Sequence, residues 1–396
     1  FNSLDARQKR QVTLARIERT KGIFQIVVKI NCKTDELIYG KEKFIPRVVF
    51  NFSGHALEEL GHVVSIITKS LSSTIFSKEG YELNFRGHIC RAYFTCGALS
   101  SDLDQFFNAA IASTGLWILS MGDDLAGVYD YNGQRVFFES DFSRYDRTIS
   151  NTLVDIFYTM LEELDLKHYE KAFFRIWGMK MSMRSSKWER MTGLNSELID
   201  PSYNGFNLPG HRTGEPATCL LNSIISIFVT FEVMTYHLNQ PTEAYQQFGL
   251  LAKFKRSKSP NVTFLKGMFL ENCEGNFQWT RMPSFLAKFG KTMSDPLTTF
   301  KRKSPIHSYH DATRSQWLGY GDLSSVEYYL LLDALIRRKT FLSNIKFSPP
   351  TEFWKVTSNT KIKIPTPVFD QFLFTRYGST RQDFLDFISL LDRGTI

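Results

Sequence analysis

The stretch LWILSMGDDLAGVYDYNGQRVFFESDFSRYD, Leu116 to Asp146, carries three apolar runs separated by two short polar breaks. Leu116–Met121 reads as one strand, Leu125–Tyr129 as a second and Arg135–Ser140 as a third. Between the second and third stands Asp130-Tyr131-Asn132-Gly133. Asn-Gly is the strongest short hairpin signal, because a two-residue turn of type I′ needs φ > 0 at both positions. With Asn132 and Gly133 as the turn, 131 faces 134 and 130 faces 135. The same register carried outward sets Asp124 opposite Asp141, with Asp123 beside it. Opposed Cα atoms in an antiparallel pair lie roughly 4.5–5.5 Å apart. A bulge in either strand would shift that pairing by one residue.

Chemistry enters through three patterns. Met121-Gly122-Asp123-Asp124 places two carboxylates at a hairpin tip, a common acidic turn when taken alone. Asp141-Phe142-Ser143-Arg144-Tyr145-Asp146 puts a carboxylate at the end of an apolar strand, where acidic residues are depleted. Three carboxylates brought together suit hard divalent cations, which prefer oxygen ligands. Two such ions in a shared site lie roughly 3.5–4 Å apart. The third pattern, Thr213-Gly214-Glu215-Pro216-Ala217-Thr218-Cys219-Leu220-Leu221-Asn222, fits Ser/Thr-Gly-x₃-Thr-x₃-Asn. Thr218 and Asn222 are four apart and share one helix face. Gly214 supplies a mobile hinge before that helix.

The chain has 396 residues, 43% apolar, enough for a large core and for two or three subdomains. Its net charge of +8 is compatible with a polyanionic partner without naming one. Five cysteines with no Cys-x-x-Cys pair imply reduced thiols rather than a disulfide framework or a structural zinc. No apolar run approaches the roughly 18 residues of a membrane span. The start, Phe1-Asn2-Ser3, lacks the pattern of a signal peptide and reads as that of a fragment or a processed product.

Outside the central stretch, Ile23–Ile30 reads as a strand, and Lys41 to Arg47 is a dense basic segment. Residues 55–113 look helical and irregular. Leu153, Ile156, Phe157, Met160, Leu161 and Leu164 form an amphipathic helical stripe. Pro216 suits the first turn of a buried helix running from Ala217 to Leu238. Residues 262–290 suggest a hairpin and a short helix, and Ser324-Ser325-Val326-Glu327 a helix start.

Taken together, the three patterns resemble motifs C, A and B of viral RNA-dependent RNA polymerases. Most of that superfamily carries them in the order A, B, C; here the order is C, A, B. That permuted order resembles the permutotetravirus and birnavirus groups. Because birnavirus-type enzymes usually carry Ala-Asp-Asn in motif C, Gly122-Asp123-Asp124 is closer to the permutotetravirus-like type. Lys29, Lys33, Lys41, Lys43 and Arg47 resemble the basic motif F, and Phe248 through Lys258 resembles motif D. Phe264-Leu265-Lys266-Gly267-Met268-Phe269 looks like motif E. The resemblance covers about residues 25–295.

The resemblance implies an α+β right hand with an antiparallel palm sheet backed by helices. Residues 1–110 would be fingers, 111–300 palm with a fingers insertion near 168–210, and 301–396 thumb. Asp141 and Asp123 would hold two Mg²⁺ ions, with Asp124 supporting and Mn²⁺ able to substitute. Asp146 and Asn222 would read the ribose 2′-hydroxyl, and Thr218 would help orient Asp146 and the sugar. Thr213 and Gly214 would belong to the nucleotide loop. Arg47, Lys43 and Lys29 would line the triphosphate channel, although a solvated basic face would also account for them. Lys258 is the candidate general acid, with Lys253 and Lys255 as rivals. Partners would be RNA template, nascent RNA, ribonucleoside triphosphates and viral replication-complex proteins, in the host cytoplasm, a virion or a membrane-associated complex.

Two other readings use the same residues. A reverse transcriptase or a primase-like nucleotidyl transferase would share the palm, but a reverse transcriptase typically places a bulky aromatic where Asp146 stands. A non-catalytic RNA-binding replication factor or capsid-associated protein would accommodate the basic balance. It would gain nothing from clustered carboxylates, whose repulsion and desolvation cost about several kcal/mol without metal.

Overall fold

The computed structural model describes residues 6–22, 28–32, 48–143, 145–170, 216–282 and 364–393. In chain order they form α1 (Ala6–Thr20), β1 (Val28–Cys32), β2 (Val48–Phe52), α2 (Gly54–Ser73), β3 (Leu83–Phe85) and β4 (His88–Phe94). Next come α3 (Ser100–Ala112), β5 (Leu116–Met121), β6 (Asp124–Tyr131), β7 (Gln134–Phe142), α4 (Tyr145–Thr148) and α5 (Asn151–Glu163). A buried helix, α6 (Thr218–Tyr236), is followed by α7 (Pro241–Gln247), β8 (Ala252–Ser257), β9 (Thr263–Phe264), β10 (Gly267–Glu271) and β11 (Phe277–Arg281). The helices α8 (Thr366–Tyr377) and α9 (Arg381–Asp392) complete the order.

The chain divides into two compact units, one of residues 1–96 and 114–256, the other of 97–113 and 257–396. The first unit is built on a six-stranded sheet in the order β3-β4-β5-β6-β7-β8. The pairs β3–β4, β5–β6 and β6–β7 are antiparallel and β4–β5 is parallel. β5 is buried from Leu116 through Ser120, as its unbroken apolar run requires of a central strand covered on both faces. α6 packs on β4 and β5, α5 packs on α6, and α2 packs on β4. Phe94, Ile118, Phe138, Phe157, Leu221, Ile224 and Phe231 meet in the core between these layers, each 0% exposed.

The stripe read along 153–164 becomes α5, whose Ser150 accepts the Leu153 N–H as an N-cap. Residues 55–113 are more ordered than their irregular composition suggests. Between α2 and α3 they supply β3 and β4, and β4 pairs in parallel with β5. A parallel neighbour brought in by a crossover leaves no local turn signal. α6 begins at Thr218, so Pro216 lies in the turn before the helix and not in its first turn. That helix is long and apolar enough to cross a membrane, with a mean hydropathy of 1.6 over its most apolar window. This corrects the view that no segment approaches a span. With 72% of that window buried inside the protein, α6 serves here as a core helix.

In the second unit, β9, β10 and β11 form a three-stranded sheet against α3. The Asn108 side chain donates to Phe277 O and accepts from Phe277 N, at 2.7 and 2.8 Å, closing the edge of β11 as a further strand would. Phe107 stacks on Phe269 with centroids 3.8 Å apart. Met268 and Leu270 pack with Phe369, Phe372 and Leu373 of α8. The hairpin expected over 262–290 is therefore present. Its short helix and the helix start at Ser324 lie outside the described residues, as do residues 23–27 of the first expected strand.

Candidate active site

The site grows from two tight turns at opposite ends of β6. Asn132 and Gly133 have φ of +50° and +74°, the type I′ combination, and no bulge interrupts the register that follows. The expected pairing holds: Asp124 faces Asp141 across β6 and β7. At the other end Met121 pairs with Asp124, leaving Gly122 and Asp123 as a second two-residue turn. Of these two only Gly122 has positive φ, +66°, the type II′ arrangement that calls for glycine first. One turn thus fixes which carboxylates face each other, and the other presents Asp123 next to them.

α6 grips this second turn by its backbone. Ser223 Oγ accepts the Gly122 N–H at 2.7 Å and donates to Cys219 O at 2.8 Å. One helical turn on, Ser226 Oγ donates to Gly122 O at 2.8 Å. Both serines are 0% exposed, so these bonds form in a dry interior where an unmade one is costly. With its own proton committed to Gly122, Ser226 Oγ receives that of the Tyr145 hydroxyl at 2.8 Å, and Asn222 O lies within 3.1 Å of the same hydroxyl. Burial pushes the Tyr145 hydroxyl well above the ordinary tyrosine range. The Ser226 bond opposes that rise, and the negative charges of Asp123 and Asp146 add to it. A neutral phenol therefore anchors the start of α4 to α6.

The same contact surface brings Asp146 to Asn222. Asn222 Nδ2 donates to Asp146 Oδ1 at 2.9 Å, which fixes the orientation of the amide. Asn222 Oδ1 is then left buried with no hydrogen-bond partner among the described residues. A buried acceptor without a donor is uncommon and marks a place for an incoming O–H or N–H. Thr218, one turn before Asn222, is half-buried at the first residue of α6.

Asp141 is 53% exposed and its Oδ2 lies 3.5 Å from Lys253 Nζ on β8, a solvent-screened contact. Lys255 pairs likewise with Glu139 at 3.1 Å. Lys258 is exposed in the bend after β8 and belongs to the second unit. Lys29 stands on β1 opposite Asn51. Lys43, Arg47, Thr213 and Gly214 lie outside the described residues.

Among the described residues no group of three His, Cys, Asp or Glu side chains forms a finished metal cage. What the strands supply is a facing pair, Asp124 and Asp141, with Asp123 adjacent at the turn. These are all hard oxygen donors. Such a set fits Mg²⁺, which commonly keeps few protein ligands and completes its shell with water and substrate phosphate.

Sequence reasoning brought Asp123, Asp124, Asp141, Asp146 and Asn222 to one site, and it missed Ser223, Ser226 and the role of Tyr145. The available signal was two serines three apart inside a largely apolar helix, where a buried hydroxyl needs a partner. The sequence matches no protein-family model, and it matches no curated protein.

Proposed function

We propose that this chain is an RNA-dependent RNA polymerase whose palm carries its motifs in permuted order, of the permutotetravirus-like type. The observation that carries the reading is the register setting Asp124 opposite Asp141, with Asp123 on the adjoining turn. Two turns of known chemistry bring the carboxylates together without the usual chain order. The Asp146–Asn222 pair beside them supports ribonucleotides as substrates.

In this reading an RNA 3′-hydroxyl attacks the α-phosphorus of a ribonucleoside triphosphate. A new O–P bond forms and pyrophosphate departs. Phosphoryl transfer needs positioning and charge neutralisation more than covalent help from the protein. Asp141 and Asp123 would hold Mg²⁺, with Asp124 in support, and the ion when bound would supply activation of the attacking oxygen and neutralisation of the departing phosphates. Asn222 Oδ1 accepts the ribose 2′-hydroxyl hydrogen while Asp146 fixes the amide. Ser223 and Ser226 hold the Gly122 peptide so that Asp123 keeps its place. By the resemblance, Arg47, Lys43 and Lys29 would line the triphosphate path, and Thr213 and Gly214 would belong to the nucleotide loop. In the same proposal, fingers cover 1–110, palm with a fingers insertion near 168–210 covers 111–300, and thumb covers 301–396. Template RNA, nascent RNA and viral replication-complex proteins are the partners, in the host cytoplasm, a virion or a membrane-bound complex.

The test is extension of a primed RNA template with Mg²⁺, wild type beside Asp123→Asn, using ribo- and deoxyribonucleoside triphosphates. Extension by wild type alone, from ribonucleotides, supports the reading. Equal extension by both would remove Asp123 from the metal site, and equal use of both sugars would favour a reverse transcriptase.

A further inference from the structure

The apolar stripe of α5 divides in two. Leu153, Phe157 and Leu161 are buried in the core of the first unit. Ile156 and Met160 are only partly buried and line a cavity of about 520 Å³, with Leu164 just past the helix end. Another wall of this cavity is aromatic: Phe76 after α2, Phe85 on β3, and Phe228 and Phe231 on α6. Their rings interlock. Phe228 meets Phe76 and Phe231 edge to face, each with centroids 6.2 Å apart, and Phe85 tilts against Phe231 at 5.5 Å. Polar groups are few, and Asn84 and Glu163 are exposed at the rim. Asn84 Oδ1 is committed to the Gly87 N–H at 2.7 Å. Lys167 pairs with Glu162 at 2.6 Å, and Glu163 makes no ion pair among the described residues.

We propose that this cavity is a binding site for a lipophilic ammonium, an alkyl or aryl body ending in a protonated or quaternary amine. The body lies against Ile156, Met160 and the phenylalanines. The cationic head is held by an aromatic ring and the Glu163 carboxylate.

Size, lining and charge converge on that ligand class. Small-molecule sites span roughly 300–1,000 Å³ and combine apolar walls with a few placed polar groups. The face of an aromatic ring is electron-rich and attracts a cation within about 6 Å of its centroid. The cluster already does so at one edge, where the Arg86 guanidinium lies 5.7 Å from the Phe85 centroid. That charge is met by Glu232 at 3.1 Å, which leaves Glu163 to meet the charge of a ligand. The chain as a whole carries a net charge of +8, so its long-range field favours anions. A preference for ammonium over a carboxylate on the same alkyl chain therefore has to come from the site itself. The cavity belongs to the packing of α5, α6 and β3, and it stands independently of the polymerase reading.

The full chain is titrated by calorimetry at neutral pH with three probes of one chain length, decyltrimethylammonium, decanol and decanoate, each below its micelle concentration. The expected result is saturable binding of a single decyltrimethylammonium per chain, about tenfold tighter than decanoate and tighter than decanol. Glu163→Gln should narrow the gap between ammonium and carboxylate by about threefold, a modest change because the carboxylate is exposed. Met160→Trp, which places a bulky ring in the cavity, should weaken all three. Decanol or decanoate binding as tightly as the ammonium would overturn the proposal, as would no saturable binding of the ammonium. So would a preference that Glu163→Gln leaves unchanged, or binding that Met160→Trp leaves unchanged. The order of the probes on wild type needs no variant, so a misfolded Met160→Trp does not obscure it.

Discussion

Asn222 gives an amide hydrogen to Asp146 at 2.9 Å, and its own side-chain oxygen, in a residue only 5% exposed, meets no hydrogen-bond partner among the described residues. The carboxylate fixes the amide, and the amide presents a single acceptor. A site that hydrogen-bonds a substrate hydroxyl rejects the analogue lacking it, because its own polar group is then left unpaired. Asn222→Ala should lower the preference for ribo- over deoxyribonucleotides by about tenfold, about 1.4 kcal/mol. Competition between the two sugars in single-nucleotide extension measures it. An unchanged ratio would assign Asn222 to structure alone.

Ser223→Ala leaves the Gly122 N–H without its acceptor and removes the donor to Cys219 O. Loss of a buried partner of this kind costs about 1–3 kcal/mol. The urea midpoint should fall accordingly with unchanged slope. Ser223→Thr keeps the hydroxyl and should retain more of the stability. If alanine and threonine behave alike, the hydroxyl does not hold the turn.

How much of this was legible beforehand depends on the range of the contact. Asn132 and Gly133 impose a turn through their own φ values, and the turn then dictates Asp124 opposite Asp141 with no further information. Asn222 sits one turn from Thr218 by helical periodicity alone. The pairing of β4 with β5 depends on a crossover, and the grip of Ser223 and Ser226 on Gly122 depends on where α6 docks. No local pattern encodes either.

Tyr145 and Tyr245 are both held above the ordinary tyrosine value of 10.0, chiefly by burial. Above about pH 10 the unfolded chain releases these protons while the native state keeps them. Stability is therefore full below that pH and falls as pH rises beyond it, by about 1.4 kcal/mol per pH unit for each such tyrosine. Urea unfolding followed from about pH 9 to about pH 11 should show the decline, with a shallower slope in Tyr145→Phe and in Tyr245→Phe. A slope identical to that of wild type in both would contradict the buried, neutral phenols.

Lys253 lies 3.5 Å from Asp141, while Lys258 has no ion pair among the described residues. Both Lys253 and Asp141 are more than half exposed, so Lys253→Met should change stability by less than about 0.5 kcal/mol. If Lys253 rather than Lys258 protonates the leaving pyrophosphate, Lys253→Met lowers the extension rate about 100-fold and Lys258→Met does not. The reverse result would assign the general acid to Lys258. Rates compared across pH separate proton donation from a loss of binding.

The most direct test of the facing carboxylates is single-turnover extension of a primed RNA template by wild type, Asp141→Asn and Asp124→Asn over a Mg²⁺ titration. The account predicts a loss of about 1,000-fold or more in Asp141→Asn, and a smaller loss in Asp124→Asn with half-saturation shifted to higher Mg²⁺. Wild-type extension that survives unchanged in Asp141→Asn would contradict it.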